Sequence, residues 1–107
     1  MINILKYSIK ESNIHGFGIF VKQSVYEDEV IGVGIDRVFL FGLIFHIVPG
    51  LGTKMNHCSV PTARLVKKGS KYIVVANQLI DPYEEVTIDY ADTPWFIRKP
   101  KYYLGLK

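Results

Sequence analysis

Short runs of β-favouring residues, separated by turn residues, recur along the whole chain, and helical periodicity is poor throughout. The runs are rich in Val, Ile, Phe and Tyr, which suit a pleated and half-buried surface. Nine glycines and five prolines supply the turns. The pattern predicts a mostly β chain with strands at Ile4–Ile9, Gly18–Lys22, Val30–Ile35, Ala63–Lys67, Tyr72–Ala76 and Val86–Asp89. The turn Lys68-Gly69-Ser70 is expected to join two of them as a hairpin.

The size and the cysteine content point to one domain without covalent or metal support. The 107 residues are 49% hydrophobic, which is enough material for a single core. The single cysteine, Cys58, excludes an intrachain disulfide and a zinc site built from cysteines. No signal-peptide pattern is visible, and the apolar segment Val38–Val48 is shorter than the roughly 20 residues that span a bilayer. We expect an intracellular protein, in the nucleus or the cytoplasm, without a membrane contact.

The charge of the chain is mildly basic, with a net charge of +3 and a pI near 9.0. Mixed charges of this kind are most often a solvated surface. A small nucleic-acid-binding domain would need a basic groove interleaved with aromatic residues. That interleaving is missing from the sequence, so direct nucleic-acid binding is not expected.

Three segments carry residues with chemical potential, in the order Ile14-His15-Gly16-Phe17-Gly18-Ile19-Phe20, Asn56-His57-Cys58 and Glu84-Glu85-Val86-Thr87-Ile88-Asp89-Tyr90. Taken alone, a Gly-x-Gly is most often a tight turn, an asparagine pair a self-capping turn, and a tyrosine at a strand end a core residue. Alternation along the third segment places Val86, Ile88 and Tyr90 on one face, which directs the phenol into the interior.

Together these segments resemble those of the SET-domain protein lysine methyltransferases, and most of all the minimal, free-standing SET proteins of large DNA viruses and some bacteria. The resemblance runs from about Lys6 to Trp95. It implies the SET-domain (β-clip) fold, which consists of several short twisted sheets with a knot-like threading of the C-terminal segment. It also implies one domain over residues 1–107, with a core at about 6–95 and a C-terminal lid or tail at 96–107.

The same resemblance implies a site for S-adenosylmethionine, with S-adenosylhomocysteine as the product and no metal. Tyr90 would be the catalytic residue, where the cofactor and the lysine channel meet. Trp95 would close the site by covering the adenine or by forming a wall of the lysine channel. His57 is expected to orient its neighbours rather than to bind a metal. The residues expected to contact the cofactor are Gly16, Phe17, Gly18, Asn56, His57, Tyr90 and Trp95.

The activity that the resemblance implies is methyl transfer to a lysine side chain of a histone or of another protein with a basic tail. The target protein, the target lysine and the number of methyl groups stay open, and so does the source, which would place the protein in a host cell if it is viral. The alternative is a catalytically weak or inactive SET module that binds the cofactor or a protein partner.

Three departures from the family pattern affect local structure. The two family turn glycines are replaced by Asp28 and Tyr83, and Pro82 favours a different turn at the second position. Thr62 stands where the family often has an asparagine. The segment Arg37–Leu51 is short and strongly apolar. It could be a buried strand or helix in a monomer, or part of a self-association surface, and we favour a homodimer.

Overall fold

Eight short strands form the protein, which we describe from a computed structural model that covers residues 6–99. A single turn of helix, α1 (Leu51–Lys54), and two 3₁₀ turns, Leu40–Gly42 and Tyr90–Asp92, lie between or after the strands. The strands are β1 (Tyr7–Glu11), β2 (Phe17–Val21), β3 (Val30–Phe39), β4 (Ile44–Ile47), β5 (Asn56–His57), β6 (Ala63–Lys68), β7 (Lys71–Ala76) and β8 (Glu85–Ile88). The expectation of a mostly β chain is confirmed, although Ile4 and Leu5 of the first predicted strand lie outside the described residues.

The strands form two four-stranded sheets. The first has the order β1-β2-β8-β5, in which β5 and β8 are parallel and the other pairs are antiparallel. The second is antiparallel throughout and has the order β4-β3-β7-β6. The expected hairpin is confirmed, since Lys68 pairs with Lys71 across the turn between β6 and β7. Within residues 6–99, no helix is long and apolar enough to cross a membrane.

One hydrophobic core lies between the sheets and involves residues from most of the elements. The largest side chains that are fully buried are Ile19, Leu51, Ile80, Val21, Val25, Val74 and Val86. The short helix α1 packs directly on β3, because Gly52 lies against the backbone carbonyl of Gly34, where a side chain would collide. This packing places Leu51 of the helix in the hydrophobic core.

The two turns that lack glycine keep a left-handed backbone. Asp28 has a φ of 68° and Tyr83 a φ of 71°. The turns are matched, since Glu29 N–H donates to Tyr26 O and Glu84 N–H donates to Asp81 O, each over 3.0 Å. The different turn expected at Pro82 is therefore wrong. Tertiary contacts hold Tyr83 in a conformation that its side chain disfavours, because its N–H donates to Val21 O at the end of β2.

The apolar segment after Asp36 is an exposed hairpin rather than a buried element. Strand β3 continues to Phe39, and β4 returns alongside it with Phe39 opposite Ile44. Much of its apolar surface is open to solvent, with Leu43 73% and Leu40 60% exposed. The interpretation as a buried strand or helix is therefore wrong.

Candidate functional site

Strand β8 brings the three sequence segments together. It lies between β2, which follows the glycine loop, and β5, which contains Asn56 and His57. Ile19 pairs with Val86 on one side, and Asn56 pairs with Thr87 on the other. The parallel pairing of β5 and β8 is compatible with the expected knot-like threading. Three segments that are far apart in sequence therefore meet along β8, the strand that leads to Tyr90.

Asn56 joins the glycine loop to β8. Its side chain is buried, and its Nδ2 group lies within hydrogen-bonding distance of His15 O at 3.0 Å, Phe17 O at 3.3 Å and Glu85 Oε2 at 2.9 Å. An amide has only two N–H donors, so they are shared among three acceptors. The two loop carbonyls on either side of Gly16 are thus held by one buried side chain.

Glu85 was not recognised as a site residue from the sequence, where it was only a member of the third segment. Its carboxylate accepts hydrogen bonds from Ser12 Oγ, at 2.7 and 2.9 Å, and from Asn56 Nδ2. The carboxylate also lies against Gly18 so closely that a Cβ at that position would overlap it. Glu85 of the third segment therefore packs against the glycine loop. Glycine is required at position 18 because any side chain there would collide with the Glu85 carboxylate.

Thr62 secures β8 from the opposite side. Its hydroxyl donates to Glu85 O over 3.0 Å and accepts the N–H of Thr87, also over 3.0 Å. The Thr62 N–H donates in turn to Thr87 Oγ1. One hydroxyl therefore satisfies both a donor and an acceptor of the β8 backbone.

Tyr90 is buried and is held at both ends by the Asn56 segment. Its phenol donates to Met55 O over 2.7 Å, and its backbone N–H donates to His57 Nδ1 over 3.0 Å. The second bond makes Nδ1 an acceptor, so the neutral ring carries its proton on Nε2. Asp89 Oδ1 lies 3.6 Å from the same nitrogen, which is too long for a hydrogen bond. His57 therefore fixes the backbone position of Tyr90.

A cavity of about 260 Å³ opens beside Tyr90. Most of its wall is apolar, and the polar groups come from threonines and from the last described residues of the chain. The lining residues are Gly34, Ile35, Ile47, Gly52, Thr53, Met55, Leu65, Ile88, Tyr90, Thr93, Ile97, Arg98 and Lys99. Tyr90 and its acceptor residue Met55 are therefore both part of the cavity wall.

The remaining predicted site residues, Gly16, Phe17 and Trp95, differ in their exposure and in their contacts. Gly16 has a φ of 49° and nothing within 4 Å of the place where a Cβ would be. Phe17 is 54% exposed at the edge of the loop. Trp95 is 74% exposed and packs edge-on against Phe96, with 5.8 Å between ring centroids, and it does not line the cavity. Within residues 6–99, no cluster of His, Cys, Asp and Glu could hold a metal.

Comparison with known proteins supports the fold through structure and not through sequence. No family model and no curated protein sequence matches the chain. The fold is similar to the crystal structure of a Plasmodium falciparum "putative histone methyltransferase", with a TM-score of 0.65 and 22% sequence identity. The match covers 87% of this chain and 99% of that chain. The mostly β fold of several small sheets, expected as the SET-domain fold, is therefore confirmed.

Proposed function

We propose that this protein is an S-adenosylmethionine-dependent protein lysine N-methyltransferase. The observation that carries the proposal is the position of Tyr90, which is buried beside an apolar cavity and is hydrogen-bonded to Met55 and His57. Asn56, which lies between these two residues in sequence, holds the carbonyls of the glycine loop. A phenol placed in this way can contact a ligand that enters from the loop side and another that enters through the cavity. The name of the Plasmodium structure agrees with this assignment.

The residues around the glycine loop suit a bound S-adenosylmethionine. The backbone at Gly16 is open, the carbonyls on either side of it are held by Asn56, and the exposed ring of Phe17 offers a flat apolar face. In this proposal the residues that hold the cofactor are Gly16, Phe17, Gly18, Asn56 and His57. The exposed Trp95, which does not line the cavity, would cover the cofactor. The cofactor would supply an electrophilic methyl group, so the protein needs neither a metal nor a nucleophile of its own.

The cavity would accept the lysine side chain and prepare its amine. Free lysine has a pKa of about 10.4, and an apolar environment disfavours its charged form. Ile35, Ile47 and Leu65 provide such an environment. Tyr90 donates its proton to Met55 O, and a hydroxyl that donates can still accept a hydrogen bond from the amine. Its role would be to align the amine, because a phenol of pKa about 10 is a weak base at neutral pH.

A labelled-cofactor assay with purified histones tests this proposal, followed by mass spectrometry of the labelled peptide. Tyr90→Phe should keep cofactor binding within about threefold and lower turnover by about 10²-fold or more, because it removes only the aligning oxygen. Tyr26→Phe is the matched control, since that tyrosine is 65% exposed and is not part of the cavity lining. If Tyr90→Phe turns over like the control, Tyr90 is not catalytic.

The second candidate is a SET module that binds a cofactor or a partner without turnover. The exposed hairpin at Phe39–Ile44 favours it, because the segment that would form one wall of the substrate groove is short and has an exposed apolar surface. Cofactor binding without labelling of any histone would support this candidate.

The same exposed hairpin is the surface on which the expected homodimer would form. Sedimentation of wild type and Leu43→Glu tests that prediction.

A further inference from the structure

Four basic residues converge at one end of the second sheet. Lys68 and Lys71 are paired across the β6–β7 hairpin, and Lys67 is adjacent to Lys68. Arg37 reaches the same end from β3, because its neighbour Val38 donates its N–H to Ser70 O in the hairpin turn over 2.9 Å. All four side chains are exposed. We call Arg37, Lys67, Lys68 and Lys71 the hairpin patch.

The hairpin patch forms no ion pair within the part of the chain that the structure describes. No carboxylate there forms an ion pair with any of its four residues. The nearest acid in sequence, Asp36, is engaged by His46 over 2.8 Å. Residues 1–5 and 100–107 contain no Asp or Glu either. The positive charge of the patch is therefore not compensated by a direct ion pair with a described carboxylate.

The hairpin patch lies on strands that also border the cavity beside Tyr90, because β3 and β6 contribute residues to both. Leu65 lines that cavity and lies two residues before Lys67 on β6. Tyr72, the cross-strand partner of Lys67, has its ring 6.1 Å from Phe96. Arg98 and Lys99 belong to the cavity lining itself. Basic side chains thus extend from the sheet end to the cavity.

We propose that the hairpin patch binds the phosphate backbone of duplex DNA beside the Tyr90 cavity. Phosphates on a duplex are closely spaced, with one charge per about 1.7 Å of helix axis, and they are bound by exposed Lys and Arg without any pocket. The patch has this character, since three of its four residues are lysines on a short hairpin. This differs from the sequence-based expectation of no direct nucleic-acid contact, because Arg37 joins the lysines only in the folded chain.

The connection to catalysis rests on the proposed function. A free basic peptide would be repelled by Arg98, Lys99 and the patch as it approached the cavity. DNA bound on the patch would reverse the local charge and attract a basic tail towards the cavity. The substrate class would then be a lysine-bearing protein that is itself bound to DNA.

Fluorescence anisotropy with a short labelled DNA duplex tests the binding itself, on the full chain and without cofactor. Four phosphate contacts predict a slope of about −3.6 for log K against log salt, because each contact contributes about −0.9. Affinity should therefore fall by about 150-fold between about 50 and 200 mM salt. No detectable binding at the lower salt concentration would overturn the proposal, whatever the methylation assay shows.

Two triple variants locate the contact. The variant K67Q/K68Q/K71Q should reduce the slope to about −0.9, since only Arg37 remains. The variant K10Q/K22Q/K54Q removes the same charge from exposed lysines elsewhere and should keep the wild-type slope. Circular dichroism and thermal unfolding confirm that both are folded. Equal losses in the two variants would mean diffuse attraction and would overturn the proposal.

A competition experiment separates DNA from an acidic protein partner. Unlabelled duplex should displace the labelled duplex at a charge concentration at least tenfold lower than poly-glutamate, because phosphates on a duplex are more densely spaced than side-chain carboxylates. If poly-glutamate competes equally well and with the same sensitivity to K67Q/K68Q/K71Q, the patch is a site for acidic proteins and the DNA assignment is wrong.

Discussion

The contact between Gly18 and Glu85 can be tested by a double-mutant cycle. Gly18→Ala places a methyl group on the Glu85 carboxylate, with the carboxyl carbon 2.9 Å away. Overpacking of this kind costs about 1–3 kcal/mol. A displaced carboxylate also weakens its bonds to Ser12 and Asn56, and hydrogen bonds to charged groups contribute about 1.5–3 kcal/mol each. Because Glu85 is only half-buried, we expect a total near the lower end, about 2–4 kcal/mol.

Glu85→Ala alone should destabilise the protein by about 2–3 kcal/mol through the same two hydrogen bonds. Adding Gly18→Ala to Glu85→Ala should then cost less than about 1 kcal/mol, since the atom that the methyl group meets has been removed. The contact that remains is to Ser12 Cβ at 3.1 Å. The expected departure from additivity is therefore about 2 kcal/mol, within the range found for residues in contact.

Urea unfolding measures all four free energies, and thermal unfolding provides a second readout. For a domain of this size, 1 kcal/mol corresponds to a shift in Tm of roughly 4–8 °C, so Gly18→Ala should lower Tm by at least about 8 °C. Glu27→Ala, at an exposed position, should change stability by less than about 0.5 kcal/mol. Additive effects of Gly18→Ala and Glu85→Ala would refute the steric explanation for glycine at 18.

Two further predictions concern other parts of the fold. Gly52→Ala should destabilise the protein by about 1–3 kcal/mol in urea unfolding, because the new methyl group meets Gly34 O and pushes α1 from β3; a neutral effect would contradict that packing. The hydrogen bond from Lys6 holds the pKa of Glu29 below its ordinary value, and the Tyr26 N–H acts in the same direction. Glu29 should therefore stabilise the fold at neutral pH and lose that contribution as pH falls below about 4.3. The difference in unfolding free energy between wild type and Glu29→Gln should shrink below that pH and vanish once the pH is below the lowered pKa of Glu29 in the folded protein. A difference that persists at still lower pH would contradict the assignment.

The sequence predicted well those strands that have a regular apolar pattern and a turn next to them in the chain. Strands β6, β7 and β8 have alternating or continuous apolar residues and clear turns, and their predicted bounds differ from the observed ones by no more than one residue at either end. Strands β4 and β5 were not predicted. The first is largely exposed and the second has only two residues, so neither leaves a periodic burial pattern.

The candidate site shows the same division between local and distant information. Tyr90, Asn56 and the glycine loop were found because residue type and order indicated them. Glu85 was missed as a structural link because its partner Ser12 is 73 residues away, and no local rule connects the two. Tyr83 was misjudged for a related reason, since a hydrogen bond to Val21 selects its backbone conformation against the preference of its own side chain.

The sequence by itself determined that the chain is mostly β and which three segments carry chemistry, because side-chain alternation and turn residues act over a few positions. Only the tertiary structure decided that Glu85 supports the glycine loop, that Tyr90 borders a cavity, and that Arg37 joins three lysines at one sheet end. These arrangements depend on contacts between residues tens of positions apart. Such contacts arise from the packing of two sheets on one core, and that packing is a property of the whole chain.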